Sequence, residues 1–141
     1  MVNRPVRTRS VRGSGTATLT AELGPPISNG RSIRIHSITT SAWKLGTGCT
    51  HALIQLFLGP SGLGSNLTTL WSHNVIAKIA DEAFTAHFPF PEGMVFSYDA
   101  AASPNNVSIG VRVTLRTNTD TDIAMGTQTN GFGLDISYSF E

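Results

Sequence analysis

Four arginines, Arg4, Arg7, Arg9 and Arg12, stand within the first twelve residues, "MVNRPVRTRSVR", with no acid among them. Guanidinium groups in such a run suit contacts to phosphate, which neutralise charge without reading base sequence. The other 129 residues hold six Lys or Arg against nine Asp or Glu, a net of −3. The overall charge of +1 therefore hides a basic tip on a mildly acidic body. That asymmetry directs the tip towards nucleic acid or another anionic surface. The arginines are interleaved with Val, Pro and Thr, so the segment is expected to order against a surface instead of forming a charge brush.

A second possible chemistry is cation binding. "NTDTDIAMG" places Asn118, Asp120 and Asp122 at alternate positions, a spacing that can bring oxygen ligands round a hard cation such as calcium. The run lacks the glycine and distal Glu of an EF-hand loop, so the competing expectation is a solvated turn. Asp120 and Asp122 are the candidate metal ligands, with a structural calcium at a subunit interface as the one cofactor considered.

Other chemistry finds little footing. His36, His51, His73 and His87 form no pair at metal-ligand spacing, and a single cysteine excludes the usual zinc sets. No G-x-S-x-G is present, and "GPSGLGSN" lacks the Lys-Ser/Thr ending of a phosphate-binding loop. The chain is expected not to be an enzyme. Cys49 stands alone, which excludes an intrachain disulfide framework and predicts a small buried hydrophobe. No run is long enough for a transmembrane helix, and the first residues lack the apolar core of a signal peptide. No membrane partner is expected.

These groups must be positioned by strands. "VSIGVRVTL" sets Val107, Ile109, Val111, Val113 and Leu115 on one face, and "FGLDISYSF" does the same with Phe132, Leu134, Ile136, Tyr138 and Phe140. Alternation of this regularity marks half-buried strands. "AFTAHFPF" alternates as well, with Pro89 and Pro91 pushing it towards a sheet edge. "GTATLTAEL", "RSIRIHSITTSAWKL", "HALIQLFLG", "TLWS" and "MVFSYDA" bring the count to about eight. "NVIAKIADEAF" fits either an amphipathic helix or a strand followed by an acidic turn, and the all-β surroundings favour the strand. At 141 residues the chain is one domain, divided here into a basic N-terminal arm, 1–14, and a β-sandwich, 15–141. Only 13 % of residues are charged, about half the usual fraction, which suits an outer surface contacted by neighbouring copies.

An arm such as "NRPVRTRSVRG", a strand such as "SIRIHSITTSAW" and a terminal strand "LDISYSFE" together resemble the coat proteins of very small icosahedral viruses, in particular satellite-virus-like single jelly rolls. The resemblance covers the whole chain as architecture. It implies an antiparallel eight-stranded jelly roll with an extended arm, self-assembly into a closed homo-oligomeric shell, and residence in a virion assembled in the host cytoplasm. It further implies an inward-facing arm whose arginines neutralise packaged nucleic acid, expected to be single-stranded RNA, with Arg31 and Arg34 extending the patch. Arg112 and Arg116 would join it only if their sheet points inward. The competing class is a phage decoration or tail-associated β-sandwich that makes no contact with nucleic acid. A trimeric jelly-roll ligand or lectin is more remote.

Overall fold

The computed structural model describes residues 5–13, 16–27, 32–42, 48–60, 67–76, 84–97, 107–122 and 132–140. They form eight strands: β1 Arg7–Gly13, β2 Thr18–Ile27, β3 Ser32–Ala42, β4 His51–Pro60, β5 Thr68–Ile76, β6 Phe84–Ser97, β7 Val107–Arg116 and β8 Phe132–Phe140. No helix occurs among the described residues.

The strands make two four-stranded antiparallel sheets, ordered β1-β8-β3-β6 and β2-β7-β4-β5. This order has a simple origin. Strands β1 to β4 pair in sequence with β8, β7, β6 and β5, as one long ribbon of two antiparallel halves would. Folding that ribbon over and adding the β3/β8 and β4/β7 ladders closes both sheets. Such a wrapped ribbon is a jelly roll.

Period-two patterning explains why the sheets stack. Ile109, Val111, Val113 and Leu115 of β7 and Phe132, Leu134 and Ile136 of β8 are fully buried, and Tyr138 nearly so. Leu19, Ala21 and Leu23 of β2, Ile33, Ile35 and Ile38 of β3, and Ala52, Ile54 and Leu56 of β4 complete the interior. Each buried Val, Leu, Ile or Phe side chain contributes about 1.5–3 kcal/mol on leaving water. Cys49 joins this core, where desolvation raises its thiol above the ordinary range. It is therefore a neutral, unreactive thiol at physiological pH.

Two stretches differ from the sequence expectation, and they offset each other in the strand count. "AFTAHFPF" and the described part of "MVFSYDA" are one strand, β6, and not two. Ser37 pairs with Pro89 and Ile35 with Met94, so the ladder resumes after an irregularity in which Gly93 takes a left-handed φ of 75°. The prolines are tolerated because β6 lies at a sheet edge, where one side of the strand needs no donors. The eighth strand comes instead from the basic segment. Arg7–Gly13, within the residues read as an arm, pairs along β8 from Arg7↔Tyr138 to Gly13↔Phe132. Its side chains are mostly exposed, so hydrogen bonding to β8, and not burial, makes it a strand. Of "NVIAKIADEAF", residues 74–76 end β5 and Phe84 begins β6; the intervening residues lie outside the described set.

Candidate functional site

The β1/β8 register decides what each arginine of the basic segment can do. Residues directly opposite in a ladder share a face. Arg7, Arg9 and Val11 stand opposite Tyr138, Ile136 and Leu134, on the side of the sheet that faces the core. Thr8, Ser10 and Arg12 stand opposite Ser137, Asp135 and Gly133, on the outer side.

Val11 alone of these packs against the core, while Arg7 and Arg9 remain exposed at the sheet edge. The Arg7 guanidinium carbon lies 5.3 Å from the centre of the Phe140 ring. Arg9 makes no ion pair among the described residues. Charged side chains turned inward on an edge strand also discourage another strand from adding to that edge.

Arg12 is occupied differently. Its Nη2 donates to both carboxylate oxygens of Asp135, at 2.9 and 3.0 Å, and its Nη1 donates to the Val11 carbonyl at 3.0 Å. Ser10 Oγ donates to the same carboxylate at 2.6 Å. Gly133 makes room for this arrangement, since a Cβ there would come within 3.1 Å of Arg12 Nη1.

The remaining candidates are spread over the molecule. Arg34 stands opposite Ser139 and Val95, on the outer face of the β1-β8-β3-β6 sheet and so away from Arg7 and Arg9. Its Nη1 donates to the Glu92 carbonyl, and its chain lies against Gly93, where any Cβ would collide with it. Arg34 thus steadies the irregular stretch of β6. Arg112 lies on the other sheet, 4.6 Å over the Phe57 ring, with its Nε donating to Thr20 Oγ1 at 3.4 Å. Arg4 and Arg31 lie outside the described residues.

Asp120 and Asp122 sit in the turn that follows β7. Thr117 N donates to the Thr121 carbonyl at 2.9 Å and Asp120 N to the Thr117 carbonyl at 3.1 Å, which closes the turn. Asp120 takes a left-handed φ of 57°, a conformation that Asp tolerates better than most residues. Each carboxylate faces a different base. Asp120 Oδ1 lies 3.1 Å from His51 Nε2, and Asp122 Oδ1 accepts from Arg116 Nε at 3.2 Å. The other His51 ring nitrogen meets Thr50 Oγ1 at 3.0 Å. Among the described residues, no three His, Cys, Asp or Glu side chains come together as a metal site.

One cluster had no counterpart in the sequence reading. Trp71 and His73 of β5 meet Phe88 and Phe90 of β6 along the side of the sandwich where those two edge strands lie. Trp71 stacks on His73 with ring centres 5.9 Å apart, and both meet Phe88 edge-on. Phe90 stands perpendicular to Trp71 at 5.9 Å. These contacts wall off the core between the two edges. "TLWSH" and "FPF" are each too short to reveal that they would meet. Beside the cluster, Phe90, Pro91, Glu92, Gly93 and Met94 line an open hollow of about 440 Å³, with Glu92 the only titratable group among the described residues that line it.

No helix among the described residues is long and apolar enough to cross a membrane. No protein-family model matches the sequence, and no curated protein matches it. Among solved structures, the chain is similar to a protein of the infectious bursal disease virus Gx strain, at 11% identity and a TM-score of 0.41, over 96% of this chain and 36% of that one. A chain of the T13 particle of the same virus aligns at 11% identity and a TM-score of 0.35, over 96% and 35% of the two chains. A structure described as "CBM4 structure and function" aligns at 11% identity and a TM-score of 0.31, over 95% and 81%. The chain thus spans about a third of the length of the viral proteins it resembles.

Proposed function

We propose that this chain is the coat subunit of a small icosahedral virion. In this reading, copies of the jelly roll associate edge to edge and loop to loop into a closed shell, and the basic strand β1 contacts packaged nucleic acid. The protein acts as a building block and performs no catalysis. Its site of action is the virion, formed in the host cytoplasm, and its packaged partner is single-stranded RNA.

The observation that carries the reading is the strand order with its basic edge. Both sheets of a jelly roll are complete, and the strand that opens the fold presents Arg7 and Arg9 to solvent. Exposed guanidinium groups bind phosphates through charge-assisted hydrogen bonds and release counterions, which gives affinity without base specificity. The low charged fraction of the chain supports the same reading, because a surface destined for contact with copies of itself needs less solubilising charge.

Expression of the full chain alone tests the proposal. Uniform closed particles by light scattering and electron microscopy, with absorbance at 260 nm that survives nuclease treatment, are the expected result. Empty particles would keep the shell and remove the packaging role. A discrete monomer or trimer at all concentrations would overturn the coat reading in favour of a decoration or ligand protein.

A further inference from the structure

Ser10 sits among the arginines of β1. Arg7 and Arg9 precede it by three residues and one, Arg12 follows it by two, and the first acid in the chain is Glu22. An arginine-flanked serine in an extended, acid-free stretch suits the acidic substrate groove of an arginine-directed protein kinase, by charge complementarity.

The fold leaves this serine within reach. Ser10 is exposed, and β1 is an edge strand of its sheet. A kinase takes its substrate as a separate extended segment, so β1 must peel from β8 to be modified. Little opposes that opening, because among the described residues Val11 is the one β1 side chain packed against the core.

The contacts of Ser10 determine what a phosphoryl group would do there. Its Oγ donates to Asp135 Oδ1 at 2.6 Å, and both oxygens of that carboxylate accept from Arg12 Nη2. A phosphate ester has no hydroxyl proton, so the donor is lost and oxygen faces oxygen. The group also sets a charge of about −1.5 to −2 beside Asp135 and competes with it for Arg12. Repulsion then acts against the β1/β8 pairing, and the added charge offsets about two of the β1 arginines. Thr8 stands opposite Ser137 and not an acid, so the same group there would break no such contact.

We propose that Ser10 is a phosphorylation site of the unassembled chain, and that its modification releases β1 from β8 and weakens its hold on nucleic acid. In the transfer, Ser10 Oγ bonds to the γ-phosphorus of ATP as the bond from that phosphorus to the bridging oxygen breaks. ADP leaves, and the hydroxyl proton passes to the carboxylate base of the kinase. The release of β1 stands apart from the coat reading; the effect on nucleic acid rests on it.

The test treats the full chain with the catalytic subunit of an arginine-directed serine kinase and magnesium ATP, with Ser10→Ala as control. Mass spectrometry locates the phosphate, amide exchange follows β1, and titration with a single-stranded RNA gives the slope of log affinity against log salt. The expected result is phosphate on Ser10, faster exchange across residues 7–13, and a slope smaller by about 1.4, the share of two phosphate contacts. Ser10→Ala removes the hydroxyl without adding charge, so it should keep the slope of the unmodified chain. Treatment that leaves Ser10 unmodified, or that places the phosphate on Thr8 instead, would overturn the assignment. Phosphate on Ser10 with exchange or slope unchanged would overturn the switch. An unmodified chain that binds no RNA, with phosphate still on Ser10 and faster β1 exchange, would overturn the nucleic-acid reading and keep the site.

Discussion

Arg12 and Asp135, 123 positions apart in sequence, meet across the β1/β8 edge with one guanidinium nitrogen on both carboxylate oxygens, at 2.9 and 3.0 Å. The contact divides the basic segment by purpose. Arg12 faces a protein carboxylate on the outer side of the sheet, whereas Arg7 and Arg9 face the other side and meet no acid among the described residues.

The Arg12–Asp135 pair should contribute modestly. Its side chains are 42% and 31% exposed, so solvent screening holds the interaction to about 1 kcal/mol or less. A double-mutant cycle with Arg12→Ala and Asp135→Asn, followed by urea unfolding, should show a favourable coupling of about 0.5 kcal/mol that shrinks at high salt. Amide exchange in β1 should quicken in each single variant. Additive effects with unchanged exchange would mean that the pair does not fasten the strand.

β7 and β8 were legible in the sequence because burial writes itself into alternation: Ile109, Val111 and Val113 could be assigned inward from their neighbours alone. β1 was not legible, because "RTRSVRG" is held by main-chain hydrogen bonds that leave no hydrophobic pattern. The basic character of the segment was plain, yet the separate uses of Arg7, Arg9 and Arg12 depend on a register with β8 that only the fold supplies. The wall formed by Trp71, His73, Phe88 and Phe90 was hidden for a related reason: β5 and β6 belong to different sheets, and local patterning carries no record of which edges lie side by side.

Charge in the core should be intolerable. Val113 and Ile136 are fully buried on facing sheets, and an unpaired carboxylate there costs several kcal/mol, comparable with the stability of a small domain. Val113→Asp and Ile136→Asp should yield no soluble folded protein. Ile136→Val, which removes one methyl group, should cost about 1 kcal/mol and shift the urea midpoint accordingly. A folded Asp variant with native circular dichroism would mean that the assigned core face is wrong.

The turn that carries Asp120 and Asp122 should behave as a clasp of two separate contacts, Asp122 with the Arg116 guanidinium and Asp120 with the His51 ring. Neutralising Asp122 leaves Arg116 without its carboxylate, and neutralising Asp120 leaves His51 without its own. With Asp120 74% and Asp122 56% exposed, each change should cost less than about 1 kcal/mol. Because both carboxylates are already engaged, chelator at mildly alkaline pH should leave stability and particle size unchanged, in wild type and in Asp120→Asn/Asp122→Asn alike. Swelling of wild-type particles by chelator, absent in the double variant, would instead establish a cation between subunits.

Arg7 and Arg9 should carry most of the nucleic-acid binding available on β1. Both are exposed, they lie two residues apart on one face, and the rise of a strand sets them about 7 Å apart. Each phosphate contact to a single strand adds about 0.7 to the slope of log affinity against log salt. Arg7→Ala/Arg9→Ala should therefore reduce that slope by about 1.4 in titrations with a single-stranded RNA. Affinity should fall equally for unrelated sequences, since phosphate contacts carry no base information. Arg12→Ala should leave the slope nearly unchanged, because its guanidinium is already satisfied by Asp135, and should act through looser β1 pairing instead. Equal loss of slope from Arg12→Ala and from either of the other two would show that the division between the faces does not govern binding. An unchanged slope in Arg7→Ala/Arg9→Ala would remove β1 from the nucleic-acid interface.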